Sequence, residues 1–238
     1  MRKDILKILA IFIIGMGGGI FADQILWPYF VERPLFYQYS LEKTPVSVIE
    51  IKETVIQENL ALRNAVEKVE KAVIAVRTET AGGKVIEGSG LIVSSDGLIV
   101  TLASLVPVGS KFSFFVEGRT VSYQIIKRDL QNDLALIKVE ERNLFTLGFA
   151  NLGRMKLGER VFLLGKVFEQ EETKSVVNEG IVRSFDQSSI ETNVFEKASL
   201  SGSPLFDIEG NILGLNTIDR EGRVVAIPNS LIRTFAGF

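Results

Sequence analysis

Hydrophobic and polar positions follow three different patterns along this chain. The first is a block: from Ile8 to Ala22 fifteen residues pass without a charged side chain, inside a longer apolar segment from Ile5 to Trp27. A helix crossing a bilayer needs roughly 20 residues, a length the longer segment supplies. Lys7 can snorkel at one end, and Asp23, Trp27 and Tyr29 suit the opposite interface. The pattern predicts a single-pass anchor over residues 5–27, with the basic N-terminus in the cytoplasm and the main domain extracytoplasmic. The alternative is a cleaved signal and a secreted protein, although Ile20 and Ala22 match the small-x-small site poorly.

The second pattern is helical. Between residues 50 and 71, Val55, Asn59, Leu62, Val66, Val69 and the following Val73 recur in alternating four- and three-residue steps. This predicts an amphipathic helix that packs on its own domain. Self-association into a homo-oligomer, with Asn59 fixing the register of the seam, is the alternative. Residues 28–49 have no clean period and read as a juxtamembrane linker.

From residue 72 onward the period becomes two. Ala72 to Thr80, Gly88 to Val93, Leu98 to Thr101, Lys111 to Glu117, Thr120 to Arg128 and Leu134 to Val139 read as strands, with Ser94-Ser95-Asp96-Gly97 as a hairpin turn. Gly158 to Lys166, Ser175 to Arg183, Ile190 to Val194, Leu205 to Thr217 and Arg223 to Ile227 supply a second set. Pro228-Asn229-Ser230 then caps a last short helix, Leu231 to Phe235. Many short strands with glycine-rich turns predict an all-β domain over 72–238, a barrel or sandwich pair.

Composition narrows the chemistry. A net charge of −2 leaves no electrostatic footprint for nucleic acid. With neither cysteine nor histidine, thiolate and imidazole metal sites, disulfides and thiol catalysis are excluded, and no cofactor or metal is expected. Against that background the corner Ser199-Leu200-Ser201-Gly202-Ser203-Pro204-Leu205 stands out, because small residues between two strands often carry a nucleophilic serine. A serine hydroxyl needs a base, and histidine, the usual one near neutral pH, is absent. A Ser–Lys pair with Lys197 would need a deeply buried lysine.

At this point the residues resemble a family. Gly88-Ser89-Gly90-Leu91-Ile92-Val93, Asp133-Leu134-Ala135-Leu136, Leu157-Gly158-Glu159, Gly180-Ile181-Val182, Glu191-Thr192-Asn193 and Ser201-Gly202-Ser203-Pro204-Leu205 follow the order of the trypsin-like domain of HtrA-type serine proteases. The resemblance implies two packed antiparallel β-barrels, the first over about 72–145 and the second over about 150–232, with the active site between them. No PDZ module is expected after the second barrel. Carried over residue by residue, the family's nucleophile falls on Ser201 and its aspartate on Asp133. Its histidine position holds Ser104, within Thr101-Leu102-Ala103-Ser104-Leu105-Val106. The oxyanion-hole positions fall on Ser199 and Ser201, and Ser199 stands where the family has a glycine. The expectation is therefore a membrane-anchored relative that binds unfolded polypeptide or a protein partner without cleaving it. The alternatives are a weak or partner-completed endopeptidase using Ser201, and a structural subunit assembled through the helix.

Overall fold

A computed structural model of the chain describes residues 2–27, 60–170 and 172–238. The chain divides into two units, Met1–Lys52 and Glu53–Phe238. In the first, α1 (Arg2–Phe21) continues through a wider turn, Ala22–Leu26. The stretch Ile5–Leu26 has a mean hydropathy of 2.2 and none of it is buried. Its 22 residues rise about 33 Å, enough to cross a hydrocarbon core of about 30 Å. A signal sequence has the same character.

The second unit opens with α2 over residues 60–69, of which Ala65 and Val69 are buried. Val55 and Asn59 lie outside the described residues, whereas Leu62, Val66, Val69 and Val73 all pack into the core. The turn Glu70–Ala72 leads into β1 (Val73–Glu79), followed by β2 (Val85–Ile92), β3 (Leu98–Leu102), β4 (Lys111–Val116), β5 (Arg119–Val121), β6 (Tyr123–Asp129) and β7 (Leu134–Val139). These seven pair antiparallel in the order β5-β4-β1-β2-β3-β7-β6. The predicted single strand over Thr120 to Arg128 is bent at Ser122: β5 pairs with β4 and β6 with β7. The two edges of this half-barrel are therefore consecutive in the chain.

A second sheet closes into a barrel, β10-β13-β12-β11-β8-β9. Its strands are β8 (Arg160–Glu169), β9 (Glu172–Phe185), β10 (Ile190–Phe195), β11 (Pro204–Asp207), β12 (Ile212–Ile218) and β13 (Arg223–Pro228). In β10 the two-residue period is direct: Ile190, Thr192 and Val194 point inward, Glu191, Asn193 and Phe195 outward. Each sheet has its own core, around Phe114 and Ile137 in the first and around Leu163 and Leu205 in the second. A third cluster joins them, with Val73, Leu102 and Leu134 from one side and Phe162, Phe206 and Leu215 from the other. Ala65 and Val69 of α2 and Ile232 of α3 (Asn229–Ala236) complete it. Asn229 does not cap α3 as the sequence suggested. Its side-chain amide donates to Ala150 O (2.9 Å) and Ile212 O (2.7 Å), tying the helix to the barrel.

Candidate active-site corner

Ser104 sits in the short turn Ala103–Leu105 that leaves β3, and Asp133 immediately precedes β7, the partner of β3. Pairing of Leu102 with Leu134 brings the two strand ends together. Asp133 then holds the turn at three points. Its carbonyl accepts from Ala103 N–H at 3.1 Å. Its carboxylate accepts from the Ser104 amide at Oδ1 (2.7 Å) and from the Ser104 hydroxyl at Oδ2 (2.8 Å). Asp133 adopts φ +53°, a left-handed conformation that aspartate tolerates better than bulkier residues. The two residues matched to the family's histidine and aspartate are thus in direct contact.

Across the junction, Ser201 follows the turn Ala198–Leu200. Its amide donates to Ala198 O at 3.0 Å, and the Leu200 amide donates to Lys197 O at 2.9 Å. Leu200 is buried in the second barrel's core and anchors this turn from below. Gly202 follows at φ +77°, and a Cβ there would collide with Ser89 O and lie 2.9 Å from Leu105 Cδ1. Leu105, next to Ser104, therefore packs against the residue after Ser201. Among the described residues the Ser201 hydroxyl has no hydrogen-bond partner, and Lys197 makes no hydrogen bond to it. Ser199 is half-buried and is not among the residues with positive φ. Ser203 is fully buried, and its hydroxyl accepts from Asn216 Nδ2 at 3.1 Å.

Sequence reasoning did not find Ser89. Its amide donates to Ser201 O (2.9 Å), its carbonyl accepts from Thr101 Oγ1 (2.6 Å), and its hydroxyl accepts from Lys166 N–H (2.8 Å). Gly88-Ser89-Gly90 gave the only signal: two glycines around a small polar residue mark close backbone approach. A Cβ on Gly88 would indeed lie 2.6 Å from Ser201 O. Beside the corner lies a cavity of about 520 Å³ lined by Lys84, Val85, Ile86, Glu87, Ala198 and Ser199. No group of acidic side chains among the described residues is arranged to hold a metal ion.

Comparisons with known proteins agree with this architecture. The trypsin-like peptidase domain matches residues 88–215. Serine protease HTRA1 of Xenopus tropicalis is 36% identical over 167 residues, covering 62% of this chain and 35% of that protein. A probable periplasmic serine endoprotease DegP-like of Halomonas elongata is 30% identical over 136 residues, covering 55% of this chain and 29% of that protein. The chain thus spans about a third of the length of these curated relatives. The solved structure of HtrA-type protease AlgW with a tripeptide superposes with a TM-score of 0.66 at 24% identity, over 74% of this chain and 62% of that one, a likeness of fold. With the family's sequence match running through both sheets and through the Ser201 corner, the chain belongs to the trypsin-like peptidase domain family, as an HtrA-type member.

Proposed function

We propose that this protein is a non-cleaving HtrA-type homologue, anchored through residues 5–27, whose extracytoplasmic cleft holds a polypeptide segment. One observation carries the reading: Ser104, the residue that the resemblance matches to the general base, spends both its amide and its hydroxyl on Asp133. A hydroxyl is as weak a base as the serine it would activate, and the aspartate of such a triad orients a base without replacing it. Loss of one triad member costs on the order of 10⁶ in turnover, leaving roughly 10³-fold from binding and the oxyanion hole. That remainder needs a Ser201 amide free to meet an oxyanion, and here it is donated to Ala198 O.

Binding is supported by the edge of β12. Asn216 exchanges both backbone hydrogen bonds with the β11 side, through Gly202 N–H and Ser203 O. Two residues on, Ile218 faces the same side after β11 has turned away, and pairs only with Val224 of β13. An extended peptide can add there by main-chain hydrogen bonds. The cavity beside Ser199 gives it room for side chains. The seam from Leu62 onward is used within the domain, so those positions are not free to build a homo-oligomer through the helix over 50–71.

The test combines labelling with binding. A fluorophosphonate probe is expected to leave Ser201 unmodified while an unfolded casein fragment binds and is recovered intact. Labelling abolished by Ser201→Ala, or casein cleavage lost in the same variant, would establish the alternative endopeptidase.

A further inference from the structure

The β8–β9 hairpin leaves its own barrel. The two strands pair without a break from Arg160↔Ile181 to Glu169↔Glu172, yet β11 accompanies β8 only from Val161 to Leu163. Beyond that point the ribbon has two strands, an arrangement that is marginal in water unless something holds it. Two contacts on the other side of the domain do so. At the tip, Phe168 meets the Phe115 ring of β4 edge-on at 5.0 Å, and the Arg77 guanidinium of β1 lies 4.1 Å from its centroid. Nearer the root, Lys166 Nζ donates to Ser175 Oγ at 2.6 Å and lies 3.3 Å from Glu70 Oε1. The Ser175 hydroxyl donates to the same carboxylate oxygen at 2.5 Å. The Lys166 side chain is only 18% exposed.

Glu70 opens the turn that ends α2, so this cluster joins α2 to the hairpin. It is not a second nucleophilic pair. The Ser175 hydrogen bond and the neighbouring Lys166 hold the Glu70 carboxyl below its ordinary range, so it stays ionised as the partner of the ammonium and is a poor base for Ser175. The step Gly165-Lys166 also faces the corner. The Lys166 amide donates to Ser89 Oγ, whose residue bonds Ser201 O, and a Cβ on Gly165 would lie 2.5 Å from Leu200 Cδ2.

We propose that the β8–β9 hairpin is a strap latched to the end of α2: Glu70 holds it at Lys166, and the latched strap holds the Leu200–Ser201 turn, so that releasing the latch loosens the corner. The inference rests on the reading of that corner as a peptide-holding cleft, and its test needs no peptide. Amide hydrogen exchange of the full chain in detergent micelles reads both ends of the strap. In Lys166→Met combined with Phe168→Ala, amides of residues 167–170 and 172–174 and the Leu200, Ser201 and Ser203 amides should exchange faster together by about tenfold, with β12–β13 unchanged. Glu70→Gln keeps the shape of the latch and removes its charge. It should raise exchange at both places by a smaller factor, and it decides the matter if the double variant unfolds. Faster exchange in the hairpin over an unmoved Leu200–Ser203 segment, or no change in either, would overturn the proposal. A failure of casein to bind would count against the proposed function and leave this result standing.

Discussion

On the proposed reading, Ser104 and Ser199 are two separate chemical losses at one corner. There Ser104 would stand in for the base, and the Asp133 carboxylate, instead of orienting an imidazole, accepts from the serine's own amide and hydroxyl. Ser199 acts through the backbone. A serine carries a strain of roughly 1–3 kcal/mol in the conformations a glycine accepts freely, and here the segment settles into a short helical turn that consumes the Ser201 amide. The two losses should be separable. Ser104→His alone is expected to give little ester hydrolysis, because the oxyanion donor is still engaged. Ser104→His with Ser199→Gly should exceed it by about 10²-fold, the usual worth of one such donor. Equal rates for the single and double variants on a p-nitrophenyl ester would show that Ser199 does not govern the hole.

At the scale of elements, α2 is part of the domain. Val69 is fully buried, lies 2.9 Å from where a Cβ on Gly210 would sit, and shares a core with Phe162 and Phe206 of the second barrel. The Lys68 ammonium adds a hydrogen bond to Glu209 O at 2.9 Å. Val69→Ala should cost about 2 kcal/mol in urea unfolding, while Leu60→Ala, at an exposed position, should stay within about 0.5 kcal/mol. A loss in Val69→Ala that vanishes as the protein is concentrated would instead assign this face to contacts between copies. The strands themselves were legible because alternation of side chains along β10 or burial along β7 is a local property of sequence. The bend at Ser122 was not, since it depends on which edge each half meets. The hairpin tip was missed for a related reason: the predicted strands stop at Lys166 and resume at Ser175, and Phe115 and Arg77, distant in sequence, explain why the ribbon continues past Lys166. Ser201, Asp133 and Ser104 were found by register with a family motif. Ser89 and Glu70 act through partners that no motif names.

For the whole molecule, the absence of histidine sets how stability responds to pH. Among the described residues, the carboxyls that depart from their ordinary range all do so downward. Glu70 is lowered chiefly by the Ser175 hydroxyl, Asp96 by Lys138, Asp129 by Asn132 and Asp186 by Ser188. Asp219 is lowered although partial desolvation opposes it, because the Arg223 amide and guanidinium outweigh that cost. A carboxyl whose folded pKa is depressed stabilises the native state above its unfolded pKa and ceases to do so as pH falls through the folded value. All five therefore act in one direction, and their contribution is lost below about pH 4. With no imidazole in the sequence, nothing of that kind titrates between about pH 5 and 8. The melting temperature should accordingly hold a plateau across that interval and fall below it on the acid side, with Glu70→Gln removing part of the acid slope. Most of these carboxyls are exposed, so raising salt should shrink the slope as it screens Arg223 and Lys138 from their partners. A step in stability centred between about pH 6 and 7 would contradict this account, because it would require a carboxyl or amine held far from its ordinary range inside the fold.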